Sequence, residues 1–230
     1  MKLKTLCAIA ALLAAPFAQA AFVTLHEAGM DAVFSQASFG NTPIDIRFGA
    51  VTQIVRPDLL DIDTPLKLNN LFGLHVGSQF VVNFYFVDTI SECSGFNVNI
   101  IGCGETPGQD FVVESVWAAN NTIPGGGNIS FGLQLLAHEL GHNLDLDHRN
   151  GNFLMNPSIN GFQDLNAAEV AIILASPLVQ MDAANGQRFI QINPVLIVDR
   201  ADVPEPSTAA LALAGLLFAG LRSRKLRQAR

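Results

Sequence analysis

Residues 138–148 read HELGHNLDLDH. This short run holds three of the chain's five histidines, together with Glu139, Asp145 and Asp147. The apolar spacing that resumes near Ser130 predicts a helix as far as Leu144. His138 and His142 then stand four residues apart on one face of it, and two imidazoles so placed can grip a single zinc ion. Glu139 lies one residue further round, where it reaches a metal-bound water without ligating the metal.

His148 needs a change of direction. An unbroken helix would carry it about 9 Å beyond His142 along the axis. It joins the same ion only if the chain leaves the helix and doubles back, and position 145 is the natural place for the break. Leu144 and Leu146 flank it and can anchor the turn in the core. Asp is among the few residues other than glycine that enter left-handed backbone. The other reading leaves His148 outside and gives the third ligand position to Asp145 or Asp147.

Working outward, the segments on either side predict an α+β (α/β-like) layer architecture. Strands are expected at Phe22 to His26, Ile44 to Ile54, 79–90 (QFVVNFYFVDTI), 110–117 (DFVVESVW) and 188–199, from their β-branched and aromatic content. Helices are expected at Asp31 to Ser38, Thr64 to Leu74, 130–144 and 165–176, the last ending before Pro177. The segment NNTIPGGGN, 120–128, reads as loop. His26 and His75 read as ordinary structural residues. Asp58, Asp61 and Asp63 form an acidic turn, with a calcium site as the weaker alternative.

Both ends read as targeting segments. Lys2 and Lys4 precede an apolar run closing on Ala18-Gln19-Ala20, so residues 1–20 read as a secretory signal peptide. The body is then 21–200. At the other end, residues 201–230 carry VPEPS at 203–207, an apolar run from Ala209 to Leu221 and a basic tail. Thirteen helical residues span only about 20 Å, a marginal transmembrane helix. The tail would stay cytoplasmic and the bulk of the protein outside.

Without these ends, six Lys and Arg face eighteen acidic residues, a net charge near −12. That balance argues against nucleic acid and anionic lipid as partners, leaving membrane association to the C-terminal helix. Cys93 and Cys103 remain as an even pair in an oxidising compartment and predict a disulfide, with free thiols as the alternative.

Two resemblances follow. HELGHNLDLDH, with Met155 downstream in GNFLMNPS, resembles the metzincin zinc endopeptidases, whose signature is H-E-x-x-H-x-x-G-x-x-H followed by a methionine turn. Asp145 stands where that family has glycine. The resemblance implies a zincin fold: a twisted mixed sheet packed on the active-site helix, with a smaller C-terminal subdomain bearing one helix. It implies His138, His142 and His148 as zinc ligands and Glu139 as general base toward a zinc-activated water. Met155 would form an apolar floor under the metal, although a core methionine would look the same. It implies a polypeptide substrate held as an extended strand, with 110–117 as the edge that receives it. The second resemblance, of the last 28 residues, is to PEP-CTERM sorting signals. It implies an exosortase-type processing enzyme as partner and an exported protein of a Gram-negative envelope or extracellular matrix. From this tail comes the rival expectation, a non-catalytic zinc-containing surface or matrix binding protein.

Overall fold

The computed structural model describes residues 23–200; the predicted signal peptide and the sorting segment with its expected transmembrane helix lie outside the described residues. The chain is a mixed α+β structure, as its pattern of elements predicts. In order come α1 (Glu27–Phe34), β1 (Ile44–Phe48), β2 (Thr52–Val55), β3 (Asp61–Ile62), α2 (Pro65–Phe72), β4 (Val81–Val87), β5 (Thr89–Ile90), β6 (Gly102–Gly104) and β7 (Asp110–Glu114). They are followed by α3 (Ser115–Ala118), α4 (Phe131–Asn143), α5 (Ala167–Ala175), β8 (Gln180–Met181) and β9 (Arg188–Val198).

The main sheet has the order β1-β9-β4-β7-β6. β1 and β2 pair in turn with the two halves of β9, β4 lies on its other side, and all of these contacts are parallel. β7 continues the parallel set, and β6 closes that edge antiparallel. Pro194 sits in the middle of β9, an unusual place for a residue without an N–H. It falls opposite the interruption between β1 and β2, whose partners on β9 end at Ile192 and resume at Val195.

Side chains alternate across the sheet with the period of two that a pleated strand imposes. From β4, Val82, Phe84 and Phe86 join the larger core under α1, α4 and α5, while Tyr85 and Val87 join a second core with Leu59, Ile62 and Leu71. Both faces are therefore covered, which accounts for the consecutive buried residues Phe84 to Val87 in β4 and Phe111 to Val113 in β7. A disulfide joins Cys93 to Cys103, with Cα atoms 5.8 Å apart, and ties the intervening loop to β6.

Three expectations are corrected. Residues 23–26 form no strand; His26 takes left-handed backbone (φ 49°) and α1 starts immediately after it. The strand expected at 110–117 stops at Glu114, and 115–118 turn into α3, where Ser115 Oγ donates to Val87 O. Nor is that strand an edge: β7 lies between β4 and β6, so the open edge belongs to Gly102–Gly104. Two glycines around a cysteine carry little β-propensity, which hid this strand from the pattern.

Candidate metal centre

The centre is built on α4. Ser130 caps the helix, its Oγ accepting from Leu133 N–H. From Gly132 to Gly141 every residue is buried, so the helix runs through the core rather than over it. His138 and His142 leave its underside one turn apart.

The helix then stops by a Schellman arrangement. Asp145 N–H donates to His142 O at 2.9 Å and Leu146 N–H to Gly141 O at 3.0 Å, with Asp145 left-handed at φ 72°. Leu144 and Leu146, 0% and 2% exposed, bury on either side of the turn. The chain thereby reverses, and His148 comes back beneath the helix. Its Nε2 lies 3.3 Å from Nε2 of His138 and 3.2 Å from Nε2 of His142. Asp145 and Asp147 stay out of this cluster; the group brought together is His138, His142 and His148.

Hydrogen bonds set the tautomers. His138 Nδ1–H donates to Leu154 O at 2.9 Å, and His142 Nδ1–H donates to Leu146 O at 2.8 Å. A carbonyl can only accept, so each Nε2 is left with its lone pair directed at the centre. Burial lowers both pKa values, that of His138 to about 3 with the neighbouring imidazoles adding to the effect. Neutral imidazoles with convergent lone pairs can hold a metal ion.

Glu139 occupies the rim. It is buried, its carboxylate has no hydrogen-bond partner among the described residues, and burial alone pushes its pKa up to about 8. Its neighbours are Gly102 and Gly104 of the edge strand; a Cβ at Gly102 would strike the Glu139 carboxylate. The glycines that hid β6 in the sequence are the ones that make room for this group. Met155 is fully buried with its Sδ against Gly141, where any side chain would displace it. It thus lies under the turn of helix that separates the two histidines.

Gln134 is a site residue that the sequence reading did not single out. One turn before His138, it accepts from the N–H groups of Asn160 (2.9 Å) and Gly161 (2.6 Å) through Oε1. Its Nε2 donates to Asn160 Oδ1 at 2.9 Å. It therefore pins the segment after Met155 to α4. A lone polar residue within FGLQLLA, four before a histidine, was the available signal.

The histidines and Glu139 open into a cleft of about 680 Å³. The disulfide loop and β6 form one wall, and Pro157, Ser158 and Ile159 line it after Met155. The remaining histidines take structural partners. His26 Nε2–H donates to Ala118 O, and His75 Nδ1 lies 3.0 Å from the Asp110 carboxylate. The acidic turn does not gather into a calcium site: Asp58 pairs with Arg56, Asp63 with Lys67, and Asp61 accepts from Thr89.

Among the described residues no helix is long and apolar enough to cross a membrane. Compared with known proteins, residues 202–227 match the PEP-CTERM protein-sorting motif. No curated protein and no solved structure matches the chain significantly. The motif implies recognition by an exosortase-type processing enzyme and marks the chain as an exported, envelope-associated protein of Gram-negative type.

Proposed function

We propose that this protein is an exported zinc endopeptidase of metzincin type. The observation that carries the reading is the convergence of three imidazole Nε2 atoms, two of them with their lone pairs fixed toward the centre, beside a buried, unpartnered carboxylate at the rim of an open cleft. Zinc fits this donor set. With Zn–N near 2.0–2.1 Å, tetrahedral coordination separates two ligand nitrogens by about 3.3 Å, and His148 Nε2 stands 3.3 and 3.2 Å from its two neighbours. Three protein ligands leave a fourth position free, the pattern of catalytic rather than structural sites.

When bound, zinc supplies a Lewis acid for a peptide carbonyl and lowers the pKa of water toward ~7. The chain's own residues supply the rest. Glu139, whose surroundings raise its proton affinity, takes the proton from the attacking water and returns it to the departing amine. Leu154 O and Leu146 O hold two of the imidazoles in the ligating tautomer. β6 offers a sheet edge along which an extended polypeptide can pair.

Incubating the purified protein with an unfolded polypeptide tests the reading, with and without a zinc chelator and beside Glu139→Ala. Cleavage that requires both zinc and Glu139 is expected. Cleavage that survives removal of both overturns the mechanism, and zinc binding without turnover points instead to a zinc-containing surface or matrix binding protein.

A further inference from the structure

His148 differs from its two partners in what holds it. It is exposed, and among the described residues its Nδ1 has no hydrogen-bond partner. Its direction is set by the backbone on either side. Leu146 anchors the upstream side in the core. On the downstream side stands Arg149, a residue with three separate attachments.

Arg149 N–H donates to Met155 O at 2.7 Å, closing the loop that runs from the third histidine to the buried methionine. Its guanidinium carbon lies 3.2 Å above the Phe153 ring. Its Nη1 donates to Glu169 Oε2 at 2.8 Å. Glu169 is itself immobilised by the cap of α5. The same Oε2 accepts from Asn166 N–H at 2.7 Å, while Asn166 Oδ1 accepts from Ala168 and Glu169 N–H. The two arginines are equally accessible, at 32% and 34%, but the Glu169 side chain is only 12% exposed where Asp58, the partner of Arg56, is 57% exposed. Arg149 does not line the cleft, so its charge serves Glu169 rather than a substrate carboxylate.

We infer that Arg149, stacked on Phe153 and paired with Glu169, is a positioning residue of the metal centre that holds His148 in ligating position by fastening its loop to α5. The inference rests on reading the three histidines as a metal site. In its terms α5, which contributes no ligand, acts as the fixed post for the least supported one. Lys can reproduce only part of the arrangement, because an ammonium can pair with Glu169 but does not stack as a plane on Phe153.

The test is zinc affinity by chelator competition, together with the visible absorption of the cobalt-substituted protein, for wild type, Arg149→Ala, Arg149→Lys, Glu169→Gln and the control Arg56→Ala. Loss of an outer partner of a metal ligand weakens affinity about 10- to 100-fold. Arg149→Ala is expected to fall in that range and to lose the intense absorption of four-coordinate cobalt, with Arg149→Lys recovering only part of both. Glu169→Gln is expected to weaken zinc by a smaller factor, and it carries the test if Arg149→Ala does not fold. Arg56→Ala should match wild type. Wild-type affinity and spectrum in Arg149→Ala, or in Glu169→Gln where that variant stands in, overturn the inference. A wild-type protein that holds no zinc overturns the metal reading beneath it.

Discussion

His138 and His142 stand on a helix buried along nearly its whole length, and main-chain carbonyls fix both rings. His148 hangs from an irregular, exposed segment that owes its course to one left-handed aspartate and one arginine. Two of the three histidines are therefore placed by the helix, and the third by a loop whose contacts reach further along the sequence. A pair on the helix with a third histidine on a loop teaches where the proposed site can be damaged: a change at Glu139 should act on the chemistry, and changes in the loop on geometry and affinity.

The sharpest separation comes from Glu139→Gln. It removes the proposed base and keeps the shape, so the proposed hydrolysis should fall by about 10²–10⁴ while zinc stoichiometry by metal analysis stays at the wild-type value. Equal loss of zinc would erase the distinction between chemistry and geometry on the helix side. Gln134→Ala cuts the bond between the two halves. It leaves the buried N–H of Gly161 and that of Asn160 without their acceptor, at about 1–3 kcal/mol for each unsatisfied group, read as a lower denaturation midpoint. A midpoint unchanged from wild type would mean that the loop stands without the helix.

How far the sequence carries the reading follows the same division. Two histidines at helical spacing and the end of the helix near Leu144 are local properties, and they are legible because the period of a helix is fixed by its own backbone. The turn at Asp145 is legible too, since few residues accept positive φ. Gln134 is not, because its partners lie 26 and 27 residues away. β6 escapes notice because glycine weakens the strand signal while being required beside Glu139. β9 reads plainly as a strand, yet nothing in its residues says that it lies between β1 and β4.

Two smaller effects sharpen the comparison at the place where helix becomes loop. Asn143, the last residue of α4, donates to Asp110 O at 3.0 Å, and the Asp110 side chain lies buried beside His75. Burial raises the pKa of Asp110 to about 6, against the hydrogen bond from His75. Because the folded value is the higher one, its contribution to stability is complete below about pH 4 and is lost as pH rises through 6. Asp110→Asn, which keeps an acceptor for His75, should flatten that window by about 3 kcal/mol at most, seen as a smaller fall of Tm between pH 4 and 7. An identical pH profile would remove Asp110 from the account of how the helix end is held.

The smallest effect belongs to Asp145. Asp145→Gly should hold or raise stability by up to about 1 kcal/mol, since glycine takes φ 72° without strain. Asp145→Val should lose about 1–2 kcal/mol and weaken zinc with it, by chelator competition. A valine variant with unchanged zinc affinity would show that the loop finds its path without the turn.

The last strand among the described residues is an interior one, lying between β1 and β4. For a polypeptide delivered N-terminus first, β1, β2 and β4 must wait for residues 188–198 before they have a common neighbour. The sorting motif begins at residue 202, four positions after that strand ends. The strand that completes the main sheet and the sorting motif are thus neighbours in sequence. A chain that stops short of residue 188 therefore lacks the strand that joins β1 and β2 to β4.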